Sequence, residues 1–380
     1  MLANDVREYF FNNSESVILL FRLFSVKILS MKIALLLSGG VDSSVALRVL
    51  LDQGYTDITA YYLKIWLEDE LSFLGECPWE EDLAFARAVC SQVDVPLKVL
   101  NLQKEYFDQV VSYTVNELKK GRTPSPDIFC NQRIKFGAFY DKINEEYDKV
   151  ATGHYGTVEE KDGLFYLKRS PDPVKDQSYF LSHLSQQQIS KIIFPIGKMM
   201  KEDVRVLAEK YDLPNKDRKD SQGICFLGKI KYSDFIKHYL GEKEGDILEK
   251  ESGAVLGKHK GFWFYTIGQR QGLGLSNGPW YVSGKDLEKN IIYVSSRMNV
   301  LEQKRSQFTV CELNWISRKP STENLSLKLR HGPRINNCTI KWLDTDRLEV
   351  SMDEGDKGIA PGQFAVFYEG EICLGGARIV

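Results

Sequence analysis

Three short segments of this 380-residue chain carry the residue types that chemistry needs. The first is Ser38-Gly39-Gly40-Val41-Asp42-Ser43-Ser44, directly behind the apolar run Lys32–Leu37. Two glycines let the backbone approach an anion closely. A helix beginning there aims its free N–H groups at the same spot, which suits a phosphate. Ser38 and Ser43 can add hydroxyl donors, and Asp42 can hold a Mg²⁺ ion against the phosphates. No Gly-Lys-Ser/Thr follows, so this is not a Walker A loop. The second segment is Thr123-Pro124-Ser125-Pro126-Asp127-Ile128-Phe129-Cys130-Asn131. Two prolines stiffen it, and the spacing predicts Asp127 as the N-cap of the following helix. Cys130 then falls in the first turn, where the helix dipole, Arg133 and Lys135 favour a thiolate. Asp127 is placed to act as a general acid or base. The third segment is Asp220-Ser221-Gln222-Gly223-Ile224-Cys225-Phe226, whose glycine and polar flanks predict a thiol on a mobile surface loop.

The first segment resembles the pyrophosphate loop of enzymes that split ATP into AMP and pyrophosphate. Such a loop beside two loop thiols has a specific logic. ATP adenylates an oxygen and makes it a leaving group, and sulfur carried by a cysteine attacks the activated carbon.

These segments must be positioned by a scaffold, and the pattern around them predicts one. Ile33–Leu37, Ile58–Leu63, Leu97–Asn101 and Lys149–Thr152 read as strands. Ser44–Asp52, Glu81–Val93, Tyr106–Lys120 and Ile128–Tyr147 read as the helices between them. Alternation of this kind predicts a doubly wound parallel sheet, an α/β fold. Ligands of such sheets sit at the carboxyl ends of the strands, where both the Ser38 loop and Gly153-His154 fall. Ser185–Leu213 reads as helical and polar-faced. Gly253–Leu256, Phe262–Thr266 and Ile291–Val294 read as strands of a small central β-rich domain. Phe308–Val310, Leu325–Leu329, Cys338–Trp342, Leu348–Met352, Phe364–Tyr368 and Ile372–Ile379 predict a C-terminal β-barrel. The expected division is 31–232 for the nucleotide-binding catalytic domain, 233–303 for the central domain and 304–380 for the barrel.

Composition sets the class. Hydrophobic residues make up 43% and charged residues 27%, as in a soluble globular protein, and the net charge is -2. Global charge therefore does not advertise nucleic-acid binding, although Arg330, His331 and Arg334 and the Lys258-His259-Lys260 turn offer local cations. Seven cysteines with no Cys-x-x-Cys spacing argue against a disulfide scaffold and a zinc or iron–sulfur site, and for a reducing cytoplasm. Cys77, Cys90, Cys311, Cys338 and Cys373 read mostly as small core residues. Residues 1–30 differ in texture. Their apolar stretch Val17–Phe24 is too short to span a bilayer, and Met31 directly precedes the first good strand. The expectation is that 1–30 is a non-native extension.

The chain resembles the bacterial-type tRNA-specific 2-thiouridylases, a family of PP-loop ATP pyrophosphatases with an adenine nucleotide alpha hydrolase-like domain. The resemblance runs from about Lys32 to Val380. It is carried by SGGVDSS, GRTPSPDIFCN at 121–131, ATGHY at 151–155, KDQSYFL at 175–181, DSQGICF at 220–226, YTIGQRQGLG at 265–274 and PGQFAVFY at 361–368. It implies ATP- and Mg²⁺-dependent replacement of O2 of the wobble uridine 34 by sulfur, in tRNAs for Lys, Glu and Gln. Cys225 would carry a persulfide received from a sulfur-relay protein or cysteine desulfurase, and Cys130 would be the partner thiol. A transient Cys130–Cys225 disulfide would follow, with Asp127 as acid/base. Leu36, Leu37, Ser38, Gly39, Gly40, Val41, Asp42, Ser43, Leu63 and Gly153 would line the ATP site. Ser125, Pro126 and Asp127 would meet the target base. His154, Lys175, Asp176, Gln177, Arg330, His331 and Gln363 would contact tRNA. Ser125 stands where the family usually has Asn, and Leu63 where it often has Met; neither change removes a reactive group. The implied protein is a cytoplasmic monomer without membrane contact. Two alternatives differ in their needs. An amidating or lysidine-forming ligase with the same loop would not need Cys130 or Cys225. A non-catalytic tRNA-binding protein would not need Gly39, Gly40, Asp42 and Ser43 intact.

Overall fold

The computed structural model describes residues 31–65, 79–143, 146–220, 230–296 and 305–380. The 1–30 extension, Cys77, Cys225 and the Cys130–Cys225 pairing therefore lie outside the described residues.

The first four strands are β1 (Ile33–Leu36), β2 (Ile58–Lys64), β3 (Leu97–Asn101) and β4 (Lys149–Thr152). All four residues of β1 are buried, as a central parallel strand covered on both faces requires. β1 pairs in parallel with β2 on one side and β4 on the other, and β3 extends the sheet beyond β2. The chain builds outward on the β2 side, then returns to place β4 on the opposite edge of β1. The loops after β1 and β4 thus flank the point where strand order reverses, the usual ligand crevice of such sheets. Leu36 aligns with Thr152, so β1 and β4 end at one level, whereas β2 runs on past Tyr61, the other partner of Leu36, to Lys64. One sheet face packs Ile33, Leu35, Val45 and Leu47 with the helices Val41–Asp52 and Trp79–Ser91. The other packs Ala34, Leu36 and Tyr61 against residues of 103–143.

After β4 the chain forms a hairpin, β5 (Thr157–Lys161) and β6 (Leu164–Lys168), which the sequence pattern does not reveal. Ser185–Leu213 is not one helix. Gln186–Ile189 is a single turn, and Ile192–Ile193 (β7) then pairs in parallel with β4. Only Lys201–Lys210 is a regular helix. Phe194-Pro195-Ile196-Gly197 breaks the pattern: proline lacks the N–H a helix needs. A side chain at Gly197 would stand 1.8 Å from the Gly156 carbonyl oxygen.

The central sheet holds β8 (Gly245–Glu249), β9 (Val255–His259), β10 (Trp280–Asp286) and β11 (Ile291–Ser296) in the order β10-β11-β8-β9. Phe262–Thr266 is not a strand. The first three of its four successive aromatics, Phe262–Phe264, form a short 3-10 turn, and Phe262 and Tyr265 sit in the core of this sheet. An unbroken aromatic run has no two-residue alternation to hold it in a half-exposed strand.

The C-terminal strands are β12 (Arg305–Trp315), β13 (Asn324–Lys328), β14 (Asn336–Trp342), β15 (Arg347–Asp356), β16 (Phe364–Glu369) and β17 (Ile372–Ile379). They pair antiparallel in the order β12-β15-β14-β13-β16-β17, and β17 closes back on β12. The expected α/β sheet followed by a β-rich middle and a six-stranded barrel is the observed architecture. Beyond expectation, β17 also pairs with β6, Cys373 opposite Leu167, so the nucleotide domain and the barrel share one sheet.

Candidate active site

The Ser38 loop is shaped by contacts that only small residues permit. Gly39 has φ +76°, and a Cβ there would lie 2.1 Å from the Asp82 carbonyl oxygen. Ser43 Oγ donates to the Gly40 carbonyl at 3.0 Å and accepts from Ser38 N–H at 3.2 Å, tying the turn to the helix it starts. A Cβ on Gly153, at the end of β4, would stand 2.7 Å from Ser43 N. Its absence lets the two loops of the crevice touch. At Gly40 a Cβ would meet only Ser38 Oγ, at 3.4 Å, so this side of the cradle is open. An open, glycine-lined concavity over a helix N-terminus fits the polyphosphate of ATP. Leu36, Leu37 and Val41 are buried and form the floor, and Leu63 lies partly buried at the end of β2.

Asp42 points into a charged cluster. Its Oδ1 accepts from the Tyr155 hydroxyl at 2.8 Å and from Lys201 Nζ at 2.6 Å. Lys201 Nζ also lies 2.8 Å from Asp220 Oδ1, and Asp220 pairs with Lys175 at 2.6 Å and Arg205 at 2.5 Å. Burial alone would raise the Asp220 carboxyl, but Lys175 and Lys201 outweigh it and hold the group well below the usual range. Burial, then the neighbouring Asp42 charge, pushes the Tyr155 phenol far up, so it stays a donor. Among the described residues no cluster of three His, Cys, Asp or Glu could cage a metal by itself. Mg²⁺ therefore fits Asp42 only as an ion shared with nucleotide phosphates, a usual arrangement for this cation.

Four residues here carry no signal in the sequence pattern. Asn215, 1% exposed, donates to the Gly39 carbonyl at 2.7 Å and to Ser44 Oγ at 2.9 Å. Arg218 donates to the same carbonyl at 3.1 Å and pairs with Asp82. Lys201 and Tyr155 complete the set. Lys216-Asp217-Arg218-Lys219 resembles any solvated charged run, and nothing local marks Arg218 as turned inward.

The thiol segment differs from expectation at its cap. Ser125 occupies the cap position and Pro126 the first turn, so Asp127 is inside the helix rather than its N-cap. Proline at the first helical position needs no N–H partner and has φ preset, which explains the shift. Helix Pro126–Phe129 runs into a π-helix, Cys130–Ala138, that begins at the cysteine. A second π segment, Phe107–Val111, packs against it, and Arg133 Nη1 bonds the Gln109 carbonyl across the pair at 2.8 Å. Wide turns of this kind recur at functional sites. The Arg133 guanidinium lies 3.8 Å from the Phe129 ring centre, and Lys135 Nζ is 3.4 Å from His154 Nε2. Cys130 is 1% exposed in a core with Phe129 and Ile134, so its sulfur is closed to reactants in this conformation.

All three domains meet on the loop before Cys130. Lys285 Nζ of the central sheet donates to the Gly121 carbonyl at 3.0 Å, and Thr266 Oγ1 lies 3.2 Å from Thr123 Oγ1. Thr123 N–H donates to the barrel's Pro361 carbonyl at 2.8 Å. Ser125 N–H reaches the Tyr113 hydroxyl at 3.3 Å, on the nucleotide domain itself.

The residues expected to touch tRNA divide into two sets. Arg330 and His331 are exposed, Arg330 paired with Asp356 at 2.5 Å and His331 stacked on Phe180. Lys175 and Gln363 are partly exposed. His154 and Asp176 are instead buried. His154 Nδ1 lies 2.7 Å from Thr152 Oγ1, its ring packs beside Phe136 and Phe194, and burial, then Lys135, holds it well below the usual range. Asp176 pairs with Lys328 in the interior, and Gln177 Oε1 accepts from Tyr155 N–H at 3.0 Å. Asp176 thus joins the nucleotide domain to the barrel and Gln177 supports Tyr155, and a run such as KDQSYFL does not reveal which of its polar residues turn inward. In the Lys258-His259-Lys260 turn, His259 is buried and only the lysines are exposed. Cys90, Cys338 and Cys373 are core residues as expected, and burial raises each thiol, to about 11 for Cys90.

Three family models match the chain in sequence. They are the tRNA methyl transferase HUP domain over residues 31–229, the tRNA methyl transferase PRC-barrel domain over 233–296 and the aminomethyltransferase beta-barrel domain over 305–379. The chain is 46% identical over 357 residues to the tRNA-specific 2-thiouridylase MnmA of Parabacteroides distasonis, covering 92% of this chain and 99% of that one. It is 45% identical over 356 residues to tRNA-specific 2-thiouridylase MnmA 1 of Bacteroides thetaiotaomicron, with the same coverage. Among solved structures, U34-tRNA thiolase NcsA from Methanococcus maripaludis covers 56% of this chain and 65% of its own, with 17% identity and a TM-score of 0.33. No helix among the described residues is long and apolar enough to cross a membrane.

Proposed function

The chain belongs to the tRNA-specific 2-thiouridylase family, and on that premise we propose that it replaces O2 of the wobble uridine in tRNAs for Lys, Glu and Gln with sulfur. The observation that carries this reading is the cradle at the sheet's reversal point, where Gly153 lets β4 touch Ser43 beside the open Gly40. Polyphosphate bound there leaves the α-phosphate accessible to a base brought in by Ser125, Pro126 and Asp127. Extruding that base from the anticodon loop costs a few kcal/mol. The exposed Arg330 and His331, with Lys175 and Gln363, supply tRNA contacts that offset it.

The uridine O2 attacks the α-phosphate, pyrophosphate leaves, and C2 now carries a good leaving group, AMP. The Cys130 thiolate attacks the inner sulfur of a Cys225 persulfide. A Cys130–Cys225 disulfide forms, and the outer sulfur departs as hydrosulfide with the electron pair. Hydrosulfide attacks C2, AMP leaves with the original oxygen, and Asp127 takes the proton. The two thiol electrons are returned by an external thiol reductant before the next turnover. Cys225 is reloaded from a sulfur-relay protein or cysteine desulfurase, in the cytoplasm. Asp42 would hold Mg²⁺ together with the phosphates, and the chemistry such an ion would supply there is charge neutralisation of the leaving pyrophosphate. Cys130 must become accessible for this sequence, so opening of its packing is part of the reading.

The matching family models are named for methyl transfer. An anion cradle over a helix N-terminus gives methyl transfer no evident role, whereas AMP-forming activation needs one. Mass spectrometry of nucleosides from tRNA treated with the protein, ATP and a persulfide source tests the reading. We expect 2-thiouridine at position 34, abolished in Cys130→Ser and Cys225→Ser. Thiolation retained by either variant would sink the sulfur relay, and methylated uridine would overturn the reading as a whole.

A further inference from the structure

We propose that Lys201 is a nucleotide-binding residue that exchanges partners, from the Asp42 carboxylate to the polyphosphate, when metal-bound ATP enters the cradle. This rests on the nucleotide reading above and assigns the site a ligand that the loop motif does not contain.

Lys201 stands at the start of helix Lys201–Lys210, and its backbone N–H is fixed by Asp172 Oδ2 at 3.0 Å. Its side chain is 13% exposed and ends against the loop's own acid, Asp42, and against Asp220. An ammonium has three donors, and among the described residues this one meets two acceptors. That leaves the ammonium capacity for one further acceptor.

Charge forces the exchange. Lys201 Nζ sits on Asp42 Oδ1 at 2.6 Å, so a divalent cation taken up by this carboxylate lies within a few ångströms of the ammonium, about 4 Å or less. A dication and an ammonium on one carboxylate repel each other strongly in a partly buried site. Lys201 must yield Asp42, yet Asp220 and the Asp172 anchor keep its stem in place. The nearest new acceptor of opposite charge is the phosphate that arrived with the metal. Arg205 and Lys175 remain on Asp220 when Lys201 turns towards the phosphate.

The test compares Lys201→Met and Lys201→Arg in the full chain. ATP binding is measured by calorimetry with Mg²⁺ present, and Mn²⁺ binding without nucleotide is measured by electron paramagnetic resonance. Lys201→Met should bind ATP about ten- to a hundredfold more weakly, the loss of one charge-assisted contact. Lys201→Arg should stay within about threefold, since the charge is retained. Without nucleotide, Lys201→Met should bind Mn²⁺ more tightly than the unmodified chain, because Asp42 and Asp220 lose the ammonium between them. The Mn²⁺ gain reports that Lys201 occupies the metal's carboxylate, and the loss of ATP affinity, which a lysine serving only Asp42 and Asp220 would not produce, reports that it meets the phosphate. If Lys201→Met does not fold, Lys201→Gln carries the same comparison. ATP affinity in the neutral variant within about threefold of the unmodified chain, or unchanged Mn²⁺ binding, overturns the assignment. Failure of the unmodified chain to bind ATP would instead defeat the nucleotide reading on which the assignment stands.

Discussion

Lys328 Nζ and Asp176 Oδ2 form an ion pair 2.6 Å apart with both side chains 1% exposed. Asp176 belongs to the nucleotide domain and Lys328 to barrel strand β13, so the pair is a dry joint between domains. Asp176 is otherwise saturated: Ser178 Oγ donates to it at 3.0 Å, and the Ser170 and Ser178 N–H groups at 3.1 and 3.2 Å. Removing one partner leaves the other charge buried and uncompensated. Lys328→Met should lower unfolding free energy by about 3–5 kcal/mol, measured by urea denaturation. The Lys328→Met/Asp176→Asn double variant should recover part of the loss. A single variant as stable as the unmodified chain would show that the joint is dispensable.

Gly153→Ala should damage nucleotide binding before it damages the fold. The added methyl would sit 2.7 Å from Ser43 N and 2.8 Å from the Asp42 carbonyl carbon. Both are backbone atoms that cannot swing aside. Overpacking of this kind costs about 1–3 kcal/mol, here by prising β4 from the loop. We expect ATP affinity to fall at least about tenfold, read by calorimetry, with the circular dichroism spectrum retained. Unaltered affinity would mean that the loops need not touch.

Acid should weaken the protein through its buried histidines. Burial, reinforced by Arg133, lowers His183 to about 4, and its ring packs against Phe129 and Phe364. The unfolded chain binds this proton near pH 6.5, and the folded chain does not until about 4. Stability from His183 is therefore complete above about pH 6.5 and declines as pH falls towards 4, by about 3 kcal/mol in all. His154 acts in the same direction. Urea midpoints between pH 7.5 and 4.5 should fall more steeply for the unmodified chain than for His183→Gln. Parallel slopes would remove His183 as a source.

Lys285 should govern turnover more than folding. Its ammonium holds the Gly121 carbonyl at the entrance to the Ser125–Cys130 segment, from a different domain. Burial lowers it to about 8. Lys285→Met should reduce the rate of 2-thiouridine formation about tenfold, with the ATP dissociation constant unchanged, because the loop and not the cradle loses its hold. A misplacement of about 1 Å far from the reacting atoms is enough for such a loss. An equal fall in ATP affinity would show instead that the whole domain had loosened.

The scaffold was legible where one physical rule dominates. Ile33–Leu36 is apolar throughout because both sheet faces are covered, and Ser38–Ser43 is legible because Gly39 takes a backbone that favours glycine and approaches Asp82 too closely for a side chain. What stayed hidden depends on partners far along the chain. Asn215 and Arg218 bind the Gly39 carbonyl from about 180 residues away, and a polar residue carries no local sign of turning inward. His154 and Asp176 were expected at the surface for the same reason. The π-helix at Cys130 has apolar spacing close to that of an ordinary helix, so periodicity cannot separate the two. Asp127 was displaced from the cap because Pro126 is better suited to begin the helix than to precede it.

The pairing of β17 with β6 orders events during synthesis. On the side away from β5, Leu167 and Lys168 find their neighbours in Cys373 and Ile372, among the last ten residues of the chain. An edge of the nucleotide domain thus stays bare until β17 has been made, and a nascent chain stalled before residue 372 presents an unsatisfied strand to its surroundings.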